Sequence, residues 1–357
     1  MSPKRVPLTI VLFDVFELDE SYLDLYFRAL RDWNADGMTD AQVLMISQRE
    51  NARAAHEVCS RQPFRVDLIH ARQEYVAGYP VWDVLSSLRL VWPLVDGQYV
   101  TFAHPEFIWG PGRLRKTLDW LRKQRPYYAI GNLRRPGSRD EIFAQNTCEH
   151  CIRVISELLR DALTNGDAAG AAEISEKMPN SWWMFWCDRE PNPGRVPYME
   201  DIFFADREWL DAWRFIEHGG ELPFQDVYDL MGAAIATVLS KHAVTVPCVR
   251  MDLATNKLIH LWHRKLWRSW SPEIRDWFLA DPKRWGHTKF MDRSCWEGLI
   301  AAAGAMPATY QPMNAFRHQP GGTVHLFRTA LSKWIEGGGK LAMEKFYAAN
   351  GRERRTA

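Results

Sequence analysis

The stretch at residues 6–15, VPLTIVLFDV, decides the fold. It is apolar and β-branched with no polar alternation, the pattern of a strand buried on both faces rather than half-exposed. Residues 18–30 follow it with Leu23, Tyr26, Phe27 and Leu30 on one helical face, and Asp19 or Ser21 is placed to cap the start. AQVLMIS (41–47) predicts a second strand and RVDLIH (65–70) a third. Strand, helix, strand at this spacing is the βαβ unit of a parallel sheet. Residues 79–92, YPVWDVLSSLRLVW, then read as a helix and residues 99–103 as the next strand.

Further along, residues 113–124 form a basic helix, and 126–135 pass from strand to loop. Helices are expected within 140–178, 206–218 and 226–241, a strand at 244–251, and a Trp-rich, mostly helical region from 263 to 350. The sequence therefore predicts an α/β fold, a Rossmann-type, mostly parallel sheet flanked by helices, with a helical C-terminal extension.

Composition sets the outer bounds. A chain of 357 residues that is 46% hydrophobic and 25% charged has the make-up of a soluble globular protein with a sizeable core. Apolar runs are short, and residues 1–5 lead into a strand pattern without the apolar stretch of a signal peptide, so a cytoplasmic protein with no membrane partner is expected. Six scattered cysteines do not read as a disulfide framework. Cys148-Glu-His-Cys151 has half of a zinc-site spacing, but no second CxxC accompanies it.

The net charge is only +1, yet it is unevenly spread. Residues 113–139 hold nine Lys or Arg against one acid, and 199–229 hold nine acids against two Arg. A polyanion could meet the first stretch and a cation the second, although exposed helix faces carry such runs routinely.

Three segments have residue types suited to chemistry. In YVTFAHPEF, Pro105 stops the strand and holds His104 extended, so His104 and Glu106 can share one side of an exposed strand end, suited to a divalent cation or a sugar hydroxyl. In GGELPFQDVYD (219–229), Asp226 and Asp229 fall one helical turn apart, suited to general-base work or to capping a helix. In KLIHLWH (257–263), His260 and His263 could converge on one ligand from a helix or tight turn.

The order of these segments resembles the GT-A fold of nucleotide-sugar glycosyltransferases. In that family a sequence of the form ilflDaD ends the fourth strand and binds a divalent cation on the sugar-nucleotide diphosphate. A later GGFDE…ED segment carries the acceptor-side acid, and in many members a still later His completes the metal shell. YVTFAHPEF stands in the first place, with His104-Pro105-Glu106 replacing Asp-x-Asp, GGELPFQDVYD in the second and IHLWH in the third.

The resemblance spans roughly residues 6–265. It implies a catalytic domain over 1–262, with a nucleotide-binding half at 1–135 and an acceptor half at 180–262, and a separate basic, Trp-rich region at 263–357. It implies a transferase using a nucleotide-sugar donor, a UDP-sugar such as UDP-glucose. His104, Glu106 and His263 would hold Mn²⁺ or Mg²⁺, or Arg113 and Arg134 would neutralise the diphosphate instead; both routes stay open. Asp226 would be the general base or orient the donor sugar, with Asp229 in support. Asp14 or Glu17 would face the base or ribose, and Asp83 would lie near the donor pocket.

For the acceptor, the basic segments with interleaved Trp look similar to viral and base-J-type DNA glycosyltransferases, which modify hydroxymethylated pyrimidines. That implies a double-stranded DNA partner held by Arg115, Lys116, Arg122, Lys123, Arg135, Lys265 and Arg268, in a host cytoplasm for a bacteriophage protein. A polysaccharide, glycolipid or protein acceptor, and a non-catalytic DNA-binding module on the same fold, are the alternatives.

Overall fold

The computed structural model describes residues 6–14, 20–47, 52–71, 74–76, 79–81, 84–131, 133–134, 157–177, 202–218, 242, 244, 248–252, 254–261 and 323–350. At its centre stands β1 (Leu8–Asp14), every residue of which is buried. It pairs in parallel with β2 (Ala41–Ser47) on one side and with β6 (Tyr99–Ala103) on the other. Its apolar run Ile10–Phe13 is what such a position demands, because neither face of the strand meets water.

Helix α1 (Glu20–Trp33) and the short α2 (Ala35–Met38) connect β1 to β2; α3 (Ala52–Ser60) then leads to the edge strand β3 (Val66–His70). After β6 come β7 (Phe107–Trp109), α5 (Arg113–Gln124), β8 (Tyr128–Ile130) and β9 (Leu133–Arg134). Beyond α6 (Ala168–Lys177) lie β10 (Phe203–Asp206), α7 (Arg207–Ala212), α8 (Phe215–His218), β11 (Cys248–Arg250) and β12 (Leu258–His260). The main sheet has seven strands in the order β11-β8-β10-β6-β1-β2-β3, parallel except for β10, which runs antiparallel to β6 and β8. This is the mostly parallel α/β class, flanked by helices, that the sequence pattern calls for.

Two local readings change. Residues 79–92 are not one helix: β4 (Glu74–Val76) and β5 (Tyr79–Val81) pair as an antiparallel hairpin, and only α4 (Val84–Val91) is α-helical. The aromatic and β-branched residues on either side of Gly78 favour pleated pairing over a helical turn. His260 also lies on a strand rather than a helix or tight turn. Buried Leu258 and Ile259 place β12 between β7 and β9 in a second sheet of order β7-β12-β9.

A hydrogen-bonded clasp fixes the amino edge of the main sheet. Buried Thr9 donates its hydroxyl to Gln42 Oε1 at 2.7 Å and accepts from the Gly97 N–H at 2.8 Å. Gln42 Oε1 also accepts from the Asp96 N–H, and its Nε2 donates to the Leu94 carbonyl, both at 2.9 Å. At Gly97 a Cβ would stand 2.3 Å from the Thr9 backbone nitrogen, so only glycine fits.

Helix α5 is set against α1 by Asn34. Its Oδ1 accepts from the Leu114 N–H and its Nδ2 donates to the Ala29 carbonyl, each at 3.0 Å. Gly112 precedes the helix with φ +64°, a left-handed conformation that glycine adopts without strain.

The described part of the C-terminal region packs on this body. Helices α9 (Thr323–Trp334) and α10 (Lys340–Asn350) are joined through Ile335–Gly339, where the chain kinks at Gly338 with φ 115°. The Trp209 indole donates to the Tyr347 hydroxyl at 3.0 Å, and burial pushes that phenol up to about 12. Trp213 meets Trp334, Phe215 meets Phe327, and His218 lies on Trp334 with ring centroids 5.4 Å apart. No helix among the described residues is long and apolar enough to cross a membrane.

Two outcomes follow from this packing. Gly97→Ala should lower stability by about 1–3 kcal/mol, because the methyl group meets backbone rather than a movable side chain; urea unfolding measures it, and unchanged stability contradicts the clasp. Burial, then the Arg214 charge, lowers the His218 pKa from 6.5. The unfolded chain therefore binds the proton more readily, and the stabilisation present above pH 6.5 is lost as pH falls through the folded value. Amide exchange across residues 323–350 should accelerate on that acidification and should respond less in His218→Phe.

Candidate functional site

The parallel strands carry the chain's polar ends to one edge of the sheet. From β1, the strands β2 and β3 lie to one side and β6 to the other, so the strand order reverses between β1 and β6. At such a reversal the crevice outside the carboxyl ends is open to a ligand, because successive connections leave in opposite directions. Strand β1 ends there in Asp14, which is buried and whose carboxylate accepts the Ser47 hydroxyl at 3.1 Å. Ser47 closes β2 in register with Asp14, and His70 closes β3 in register with Ser47.

On the other side of the reversal β6 runs into His104. Its imidazole lies 6.0 Å from the Phe13 ring and 5.6 Å, edge to face, from Phe107. The Phe107 N–H donates to the His104 carbonyl at 2.9 Å, which folds Pro105 and Glu106 into a tight turn leading to β7. His104 and Glu106 are 3% and 4% exposed, so they do not stand at an exposed strand end. The turn folds them inward between Phe13, Phe107 and β12, where an imidazole and a carboxylate are more strongly coupled to any charge that enters.

The small second sheet brings distant segments to the same edge. Strand β12 is antiparallel to β7, with His260 opposite Phe107, and parallel to β9, with Ile259 opposite Arg134. The start of β7, the end of β9 and the end of β12 therefore lie together. The Leu261 N–H donates to the Glu106 carbonyl at 2.8 Å, so the chain leaving β12 passes Glu106. Asp14, His104, Glu106, Arg134 and His260 thus share one end of two adjoining sheets.

The other expected residues divide. Arg113 is buried, and its Nη1 donates to the Ala254 carbonyl. Arg115 and Arg122 reach Asp40, at 2.6 and 2.8 Å, and these guanidiniums hold its carboxyl below the usual carboxylate range. Lys116 and Lys123 are exposed on α5. Glu17, Asp83, Arg135, Asp226, Asp229, His263, Lys265 and Arg268 lie outside the described residues, as do Cys148 and Cys151.

Sequence reasoning missed Ser47, although it closes AQVLMIS as Asp14 closes its own strand. It also could not assign Asp40, because the helix it neutralises begins more than seventy residues later. Buried Cys59 lies against the Met45 sulfur at 3.4 Å, and burial pushes its thiol up to about 12, which leaves it unreactive. Among the described residues no three His, Cys, Asp or Glu side chains are grouped to hold a metal ion. An open groove of about 630 Å³ lies at the opposite, amino edge, lined by Gln42, His56, Arg65, Leu68 and Asp96 among others.

No family model matches the chain, and no curated protein does. Solved structures overlap with it partially. The 4-diphosphocytidyl-2C-methyl-D-erythritol synthase of Anaerococcus prevotii is 8% identical, over 69% of this chain and 88% of that one, with a TM-score of 0.36. The mannosyltransferase PcManGT of Pyrobaculum calidifontis, in complex with GDP-Man and Mn²⁺, is 11% identical over 98% and 81%, with a TM-score of 0.42. S. aureus TarS 1–349, in complex with UDP-GlcNAc, is 10% identical over 37% and 35%, with a TM-score of 0.27. At these scores the functional reading rests on the chain's own geometry.

The Asp40 bridge gives a direct check. Asp40→Asn should cost about 1 kcal/mol, since Asp40 and its partner Arg115 are only partly exposed. Urea unfolding reads the loss, which should shrink at 1 M salt; a salt-independent loss would assign it to packing instead.

Proposed function

We propose that the protein is a glycosyltransferase that moves a sugar from a nucleotide-sugar donor to an acceptor hydroxyl. The observation that carries this reading is the meeting of Asp14, the His104–Glu106 turn, β9 at Arg134 and β12 at His260 beside the β1/β6 reversal. An α/β sheet generally takes a nucleotide at such a reversal, and β9 and β12 of the second sheet end beside it in Arg134 and His260.

In the transfer, the bond from the sugar's anomeric carbon to the diphosphate oxygen breaks and a bond to the acceptor oxygen forms. The hydroxyl proton passes to a base, for which Asp226 is our assignment, with Asp229 supporting it. The departing diphosphate gains charge, which Arg134, at the end of β9, would meet. Asp14, held by Ser47, would accept hydrogen bonds from the base or ribose, as Glu17 or Asp83 would on the same reading.

A divalent cation would supply Lewis-acid stabilisation of the leaving diphosphate. The donor set fits one in part: Glu106 and His104 are two buried donors in one tight turn. His263 follows Leu261, whose N–H is bonded to Glu106, by two residues.

For the acceptor we infer a hydroxymethylated pyrimidine in DNA as the second, narrower reading. Its described support is Lys116 and Lys123, exposed on α5, while Arg115 and Arg122 are engaged by Asp40. Phosphate contacts need accessible cations and make binding fall with salt.

The test incubates radiolabelled UDP-glucose, UDP-GlcNAc and GDP-mannose with the protein, with and without Mn²⁺. The acceptors are DNA containing cytosine, 5-hydroxymethylcytosine or 5-hydroxymethyluracil. Release of sugar from one donor, reduced about 10²-fold or more in Glu106→Ala, is the expected result. Label in modified DNA supports the narrower reading, and donor hydrolysis without it removes that acceptor. Turnover that survives Glu106→Ala and His104→Ala would sink the site.

A further inference from the structure

The second sheet is held at the end away from the site by a buried polar clasp. The turn entering β12 is shaped by Asp252, whose Oδ1 accepts from the Thr255 N–H at 2.6 Å and whose carbonyl accepts from the Asn256 N–H at 3.1 Å. Three groups from the β7–α5 segment grip that turn. Arg113 donates to the Ala254 carbonyl, the Thr117 hydroxyl reaches the Thr255 carbonyl at 3.4 Å, and the Gly110 N–H donates to the Lys257 carbonyl at 2.9 Å. Lys257, itself buried, donates its ammonium to the Ser175 carbonyl near the end of α6 at 2.5 Å, where a cation also complements the helix dipole.

Asn256 lies at the centre. It is fully buried and donates Nδ2 to Thr117 Oγ1 at 3.1 Å. A Cβ at Gly131 would stand 2.6 Å from its Oδ1, so the amide lies directly against the backbone between β8 and β9. One side chain therefore touches α5, which follows β7, and the segment leading to β9, while its own backbone leads into β12. Those are the three strands whose other ends present Glu106, Arg134 and His260.

We propose that Asn256 is a positioning residue of the candidate site. Its side chain meets Thr117 and Gly131, and it fixes the common origin from which β7, β9 and β12 run to that site. Its amide matters for this role because it is a rigid fork. Nδ2 can approach Thr117 only while Oδ1 stays against Gly131, so α5 and the β8–β9 segment cannot shift independently. The inference rests on the glycosyltransferase reading for its kinetic consequence but not for its structural one.

The experiment compares Asn256→Ala and Thr117→Val with Thr9→Val, which removes an equally buried hydroxyl from the amino-edge clasp. Thermal unfolding, donor release from the nucleotide-sugars above, and amide exchange of the Leu261 N–H are measured on each. All three variants should lose stability. Only Asn256→Ala and Thr117→Val should lower kcat, by about 10-fold or more with KM for the donor within about threefold, since misplacement of reacting groups acts on the chemical step. The same two should lose Leu261 protection, while Thr9→Val keeps it. Equal kinetic losses in all three variants would reduce the clasp to general stability and overturn the proposal. If the unaltered protein releases sugar from no donor, the function reading fails, and the exchange measurement alone decides: Leu261 protection retained in Asn256→Ala overturns the positioning role.

Discussion

The parallel pairing of β1 with β6 is the constraint on which the rest depends. It leaves β1 with a neighbour on each side and no face to water, which explains why seven consecutive residues are buried. Because β2 and β3 lie on one side and β6 on the other, the same pairing puts the strand-order reversal, where α/β sheets generally take ligands, at the carboxyl ends of β1 and β6. Asp14 and His104 reach that edge simply by being where their strands stop.

Around this frame the two ends of the molecule are treated differently. The amino edge is closed by backbone and side-chain hydrogen bonds among Thr9, Gln42, Asp96 and Gly97, with no space for a methyl group at Gly97. The carboxyl edge carries two buried carboxylates, Asp14 and Glu106, the buried imidazole of His104 and a second sheet. Burying such groups costs free energy unless they are engaged, as the Ser47 hydroxyl engages Asp14. The C-terminal helices add an aromatic seam against α7 and α8, far along the chain yet part of the same body.

Much of the frame was legible in the sequence, because it depends on local patterns. VPLTIVLFDV, AQVLMIS and YVTFA each read as strands, and the basic stretch 113–124 is helix α5 to the residue. What escaped depends on partners distant in sequence. The three-residue strand β12 is too short to show a period, and only β7 and β9 on either side make it a strand. The burial of His104 and Glu106 depends on Phe13 and Leu261, ninety residues before and more than one hundred and fifty after. The charge excess of α5 looked like a free face because Asp40 is not its sequence neighbour. For the same reason Asn256 carried no signal as a single residue in a polar turn.

Hydrogen exchange in the presence and absence of a nucleotide-sugar tests the central claim most directly. With UDP-GlcNAc or GDP-mannose and Mn²⁺ added, slowed exchange is expected at residues 12–14, 102–108 and 258–261, the segments that meet beside the β1/β6 reversal. Protection confined to residues 42, 56–60, 65–69 and 93–96, around the amino-edge groove, would place the ligand at the wrong end of the sheet and contradict it.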